Sequence, residues 1–209
     1  TKPFYMALTP TTNAQYQTCV EAGVCRGEAD MSKPVNPVVD MSLNDARELC
    51  EWAGARLPTE AEWEWAARGG VQDWRFPWGN DDTGFDHANF ADACGQQVQY
   101  TGVDEDKSRF TLHLVYPHGG TTPVGSFGRN GFGLFDMSGN VAEWTSSRMG
   151  DYTDAAVTDP TGPETGREYV LRGGSWVSTS WGGRVSMRHE SMPTITGGAM
   201  GFRCARDAG

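Results

Sequence analysis

The sequence is short of basic charge, of long apolar runs and of histidine, and each shortage removes a class of function. Seventeen Lys and Arg stand against twenty-seven Asp and Glu in 209 residues, a formal charge of -10. Such a chain repels nucleic acid and anionic lipid unless basic residues cluster, and here they are scattered. No apolar run approaches the roughly 18 to 20 residues that span a bilayer, so no membrane span is expected. The first residues carry no signal-peptide pattern. The four histidines, His87, His113, His118 and His189, form no transition-metal set. No phosphate-cradling glycine loop, nucleophile elbow or zincin motif is present.

Cysteine is the first thing the chain does have. Cys19, Cys25, Cys50, Cys94 and Cys204 are too dispersed for a zinc motif, which wants close pairs. Cys19 and Cys25, in "CVEAGVC", are near enough to pair across a turn, and an odd count leaves one thiol over. Disulfides persist in oxidising compartments, so a periplasmic or secreted protein is expected, its signal segment removed or outside this chain.

The length suits one domain, 1–209. Three helices are expected in its first third. Thr12-x-x-Gln15 reads as a capping box opening a helix that stops at Gly23. From Ser42 to Gly54, Leu43, Ala46, Leu49, Cys50 and Ala53 recur at helical spacing and turn Cys50 toward the core. Thr59-x-x-Glu62 opens the third, which ends at Gly69-Gly70. Beyond Gly70 the chain is rich in glycine, and apolar residues come in bursts such as "EYVLRGGSW" and "MGFRCAR", brief strands between long loops. The fold class is α+β with much irregular backbone, and long loops of this kind usually bind something.

In "NGFGLFDMSGNVAEW", residues 130 to 144, Asp136 and Glu143 flank a glycine turn that also holds Asn140 and the carbonyls of Gly139 and Val141. Hard oxygen donors gathered by one tight turn are what calcium selects. The spacing is not that of an EF-hand. Farther on, "GGSWVSTSWGGR", residues 173 to 184, has glycines, indoles, hydroxyls and a cation but no cysteine, histidine or carboxylate.

The segments "TPTTNAQYQTCV", "NPVVDMSLNDARELCEWAGARLPTEAEWEWAARGG", "FPWG", "GLFDMSGNVAEWTSS", "VLRGGSW" and "GFRCARD" resemble, in order and over nearly the whole chain, the formylglycine-generating-enzyme or sulfatase-modifying-factor family. The resemblance implies a C-type-lectin-like variant fold with bound structural calcium. It places one ion on the Asp136 and Glu143 side chains and the Gly139 and Val141 carbonyls. A second site would begin at Asn89 and Phe90 in "HANF", but the family's aspartate near "TTPVG" has only Tyr116 or Pro117 as a counterpart, unless Asp104 to Lys107, "DEDK", substitutes. A long-range disulfide between Cys50 and Cys204 is also implied.

Catalytic members of the family carry two cysteines after "GGSW" that hold copper; the matching positions here are Ser178 and Gly183. Hydroxyl and hydrogen cannot replace thiolates on a soft cuprous ion, so no copper and no formylglycine generation are expected. Ala142 stands where a tryptophan usually walls the oxygen pocket, and the family's usual opening strand is missing ahead of "KPFYM". The residues left to line the groove are Ser175, Trp176, Ser178, Ser180, Trp181, Arg184, Arg188, His189 and Glu190. Arg184 and Arg188 are suited to gripping an anion, the indoles to stacking on a ring, and His189 with Glu190 to moving a proton, with Ser175 beside them.

Three functions are implied by branches of the resemblance. One is the oxidative maturation of a secreted peptide product such as the siderophore pyoverdine, carried out by a periplasmic member that lacks the cysteine pair. Another is non-catalytic ligand binding, as in retroelement-diversified proteins of this fold, although codon-limited variation should not readily give Trp181, Glu190 or Met192. The sulfoxide-synthase relation needs a histidine-rich iron motif and an added helical domain, and this sequence has neither. A small-molecule or peptide substrate is the expected partner.

Overall fold

All three expected helices form, and each starts on a reciprocal cap. The computed structural model describes residues 2–81, 87–91, 99–103, 110–113 and 120–209, with backbone alone for 99–103 and 110–113. Helix α1 spans Asn13–Glu21: the Thr12 hydroxyl accepts from the Gln15 amide at 3.2 Å while the Gln15 side chain accepts from the Thr12 amide at 2.9 Å. Helix α3 spans Glu60–Arg68 behind the same device at Thr59 and Glu62, and ends on left-handed Gly69. Helix α2, Leu43–Trp52, has a third capping box, Ser42 with Asp45, where the expectation rested on apolar spacing alone. An Asp side chain is long enough to reach back to the cap amide, so the pattern is wider than Glu and Gln.

The strands are short. β1 (Phe4–Met6) pairs antiparallel with the final strand β8 (Ala205–Asp207), and β2 (Gln99–Val103) pairs antiparallel with β3 (Phe110–His113). The central sheet has the order β6-β5-β4-β7, built from β4 (Ala142–Arg148), β5 (Tyr169–Arg172), β6 (Arg188–Ser191) and β7 (Met200–Gly201). Only β4 and β7 run parallel in it. The burst "EYVLRGGSW" yields β5, as expected. The burst "MGFRCAR" is not one strand: Met200–Gly201 belongs to the central sheet and Ala205–Asp207 to the pair with β1. Between them Phe202 and Arg203 are fully buried, and it is this plunge through the core that divides the segment.

One apolar cluster joins α1, α2 and the central sheet through Tyr16, Leu43, Leu49, Trp144 and Phe202; a smaller one gathers Trp63, Ala66, Leu134, Met137 and Val185 against α3. Both anticipated disulfides are present, Cys19–Cys25 and Cys50–Cys204, with sequence separations of 6 and 154. In the chain-entropy picture the long loop is worth roughly 5 kcal/mol and the short one roughly 2, so Cys50–Cys204 is the staple that matters for stability. Cys94 lies outside the described residues. Among the described residues no helix is long and apolar enough to cross a membrane.

Candidate functional site

The Asp136–Glu143 turn curls tightly because three of its residues take positive φ: Asp136 at 52°, Gly139 at 77° and Asn140 at 61°. Asn140 is fully buried and is a hub rather than a cation ligand. Its side chain exchanges both hydrogen bonds with the Thr122 backbone, at 3.0 and 3.1 Å. Its amide donates to the Asn89 carbonyl and its own carbonyl accepts from the Trp176 amide. Asn140 thereby fixes three loops against one another, which local spacing does not reveal.

The two carboxylates have different surroundings. Asp136 is buried and accepts from the Gly125 amide at 2.7 Å. Burial pushes its carboxyl above the ordinary range; the Gly125 hydrogen bond and Arg203 pull it back, and Glu143 adds to the rise. Glu143, at 0% exposure, is already neutralised: Arg203 donates to both its oxygens at 2.7 Å and the Trp63 indole donates at 2.7 Å. Arg203 also ties down the carbonyls of Phe135 and Asp136. The donor chemistry suits calcium, with Asp136 the acid short of countercharge. An ion here would rest chiefly on Asp136 and the Gly139 and Val141 carbonyls, with Glu143 shared with Arg203. Both of those backbone donors belong to buried residues.

At the proposed second site Asn89 is buried and its side-chain Nδ2 donates to the Gly120 carbonyl at 3.0 Å. Asp104 to Lys107, Tyr116, Pro117 and His118 lie outside the described residues. The Phe90 side chain has a different role. A Cβ added at Gly183 would stand 2.0 Å from the Phe90 ring and 2.8 Å from the Ser138 hydroxyl. The position that matches a copper cysteine is therefore filled from outside as well as lacking its thiol.

The glycine pair brings the segment 173–190 into place. Gly173 and Gly174 have φ of 89° and 65°, and a Cβ at Gly174 would meet the Gly182 carbonyl oxygen at 2.8 Å. Ser175 is buried; its amide donates to the Ser178 hydroxyl at 3.1 Å, and the two hydroxyls lie 3.3 Å apart. The Trp176 indole donates to the Gly198 carbonyl. Ser180–Gly183 forms a single 3₁₀ turn that leaves Trp181 62% exposed, with the Arg184 guanidinium 3.4 Å over its ring. The His189 Nε2 approaches the Gly182 carbonyl at 3.4 Å. Ser175, Ser178, Trp181, Arg184 and His189 thus gather around one turn.

Glu190 and Arg188 do not join them. His189 and Glu190 are consecutive in β6, opposite Leu171 and Val170, so the pleat sends their side chains to opposite faces and they are not an acid/base pair. Arg188 does not wait for an anion. It grips Glu60 bidentately at 2.6 and 2.9 Å, donates to the Gly150 carbonyl and lies 4.3 Å over Tyr152. The sequence also gave no sign of the buried network behind it, in which Arg172 bonds Glu64 and the Val185, Ser186 and Met187 carbonyls.

A family model described as the sulfatase-modifying factor enzyme 1-like domain matches residues 1–208. The formylglycine-generating enzyme of Bos taurus is 39% identical over 183 residues, 85% of this chain and 46% of that protein. The inactive C-alpha-formylglycine-generating enzyme 2 of the same species is also 39% identical, over 83% of this chain and 51% of the relative. The chain thus spans about half the length of these curated relatives. Among solved structures, PvdO from Pseudomonas aeruginosa superimposes with a TM-score of 0.77 at 25% identity, covering 99% of this chain and 81% of that one.

Proposed function

This chain belongs to the sulfatase-modifying factor enzyme 1-like family, with a C-type-lectin-like variant fold, and on that premise we propose that it is a copper-independent member that holds a peptide or small-molecule substrate over Ser175–His189. In this reading it serves the oxidative maturation of a secreted or periplasmic peptide product, of which pyoverdine is the type. Structural calcium on the Asp136 turn keeps the loops in register. The observation that carries the proposal is the Phe90 ring beneath Gly183, which leaves no space for a second thiolate.

His189 is the proton-moving group of the gathered set, and Trp181 with Arg184 offers an aromatic face beside a cation. Formylglycine formation is tested with a cysteine-bearing sulfatase peptide, cuprous ion and oxygen, read by mass spectrometry. No conversion is expected, and conversion would overturn the proposal. Maturation is tested by following a pyoverdine precursor by absorbance, with His189→Gln expected to keep binding and lose conversion.

A second reading, non-catalytic ligand binding, is favoured by the separation of His189 from Glu190 and by the engagement of Arg188. It requires binding of the precursor by the unaltered protein with no turnover at all. It also requires that His189→Gln change nothing beyond affinity.

A further inference from the structure

A cleft of about 1120 Å³ opens between the outer face of α3 and the loop that follows β4, away from the turn at Ser175–Arg184. Of the groove residues expected from sequence, only Arg188 reaches it. Its floor is Glu60, a buried acid held by Arg188 and by the Tyr152 hydroxyl at 3.0 Å. The volume is above the roughly 300–1,000 Å³ of most small-molecule sites, enough for several residues of extended peptide.

The walls are acidic: Glu60, Glu64, Asp73, Asp151 and Asp159 face two guanidiniums, those of Arg68 and Arg188. Neither arginine is open to an anion. Arg68 donates to Glu64 and to the Gln72 and Trp74 carbonyls, and Arg188 is committed to Glu60 and Gly150. Asp73 and Asp151, in contrast, are exposed and have no partner among the described residues. Two aromatic rings share the cleft with them: Trp65 at 44% exposure and Tyr152 at 68%. Unpaired carboxylates beside the exposed Trp65 ring and the edge of Tyr152, one face of which Arg188 covers, are the surroundings that a guanidinium or an alkylammonium finds favourable.

A metal ion suits the cleft less well than a peptide, because among the described residues no three His, Cys, Asp or Glu side chains converge closely enough to hold one. We propose that this cleft binds a cationic peptide segment, its arginine or lysine side chains reaching Asp73 and Asp151 and packing on Trp65 and Tyr152. The assignment is independent of the reading of Ser175–His189 and would stand whether that turn proves catalytic, binding or neither.

The test titrates the intact domain with an amidated peptide of alternating glycine and arginine, by calorimetry, alongside the same peptide with glutamate in place of arginine. Because the whole chain is acidic, a charge-matched control is needed. Asp73→Asn with Asp151→Asn should weaken the arginine peptide roughly fivefold or more, as two lost ion pairs of ordinary strength require. Glu21→Gln with Glu28→Gln, an equal change of charge on exposed residues outside the cleft, should leave it unaltered. Trp65→Leu, which changes no charge, should weaken it as well. The proposal is overturned by no binding to the unaltered domain, by equal binding of the glutamate peptide, by equal loss in the two charge-matched variants, or by Trp65→Leu binding unaltered.

Discussion

The Asp136–Glu143 turn and the Ser175–Arg184 turn sit side by side, each beside left-handed glycines, yet they differ in what holds them and in what they expose. In the first, buried charges and amides are matched by partners from distant parts of the chain: Trp63, Asn89, Thr122 and Arg203. The second is tied to the frame by Ala91, Ser138, Asn140 and Gly198, but it adds bonds among its own hydroxyls and carbonyls, buries no ion pair among the described residues, and presents Trp181 to solvent. In this design the first turn is fixed by buried ion pairing, and the second offers an exposed Trp181 on a backbone that is packed just as closely.

The contrast is broken most severely at Arg203. Arg203→Met leaves the buried Glu143 carboxylate without its countercharge and should cost about 3–5 kcal/mol in urea unfolding; Glu143→Leu added to it should recover much of that loss. A cost below about 1 kcal/mol would mean that the pair does not hold the turn. Next comes the point where the turns touch. Gly183→Cys forces a side chain into the Phe90 ring and should destabilise by about 1–3 kcal/mol. With Ser178→Cys added it should still bind no stoichiometric cuprous ion, while a further Phe90→Ala should relieve the strain.

A smaller effect belongs to the frame at high pH. Tyr16 is fully buried with its hydroxyl donating to the Arg26 carbonyl, and burial, with Asp45 and Glu48 nearby, pushes its phenol up to about 12. Since the folded phenol holds its proton more tightly than the unfolded one, its contribution is whole below the ordinary tyrosine range and is lost as pH rises toward 12. Tyr152 is pushed up to about 12 as well, so ultraviolet titration of Tyr16→Phe should show one late-ionising phenol fewer, not none, and a shallower alkaline loss of stability. Smallest of all, Trp181→Ala should move stability by less than about 0.5 kcal/mol. The same change should weaken ligand binding several-fold, and an equal effect on both would erase the distinction between the ion-paired turn and the exposed one.

The helices were legible because their signals are local: Thr12 with Gln15 and Thr59 with Glu62 lie within one turn, and Cys50 takes its face from spacing alone. So were the motif series and, through it, the Cys50–Cys204 bridge. Arg203 stood in plain sight in "GFRCARD", but nothing nearby names Glu143 as its partner, 60 residues away. The groove residues read as one set because they adjoin in sequence, and the pleat of β6 then divided His189 from both Arg188 and Glu190.

By itself, then, the sequence determined the helix starts, the α+β class, the missing thiol at Gly183 and the acidic, disulfide-bearing character of the chain. Tertiary structure alone decided that Phe90 fills the space of that thiol, that Glu143 is shared with a guanidinium, and that an acidic cleft lies beside α3. The reason is physical: caps and turns depend on contacts a few residues apart, whereas the neutralisation of a buried charge and the filling of a cavity depend on which distant segments the fold brings together.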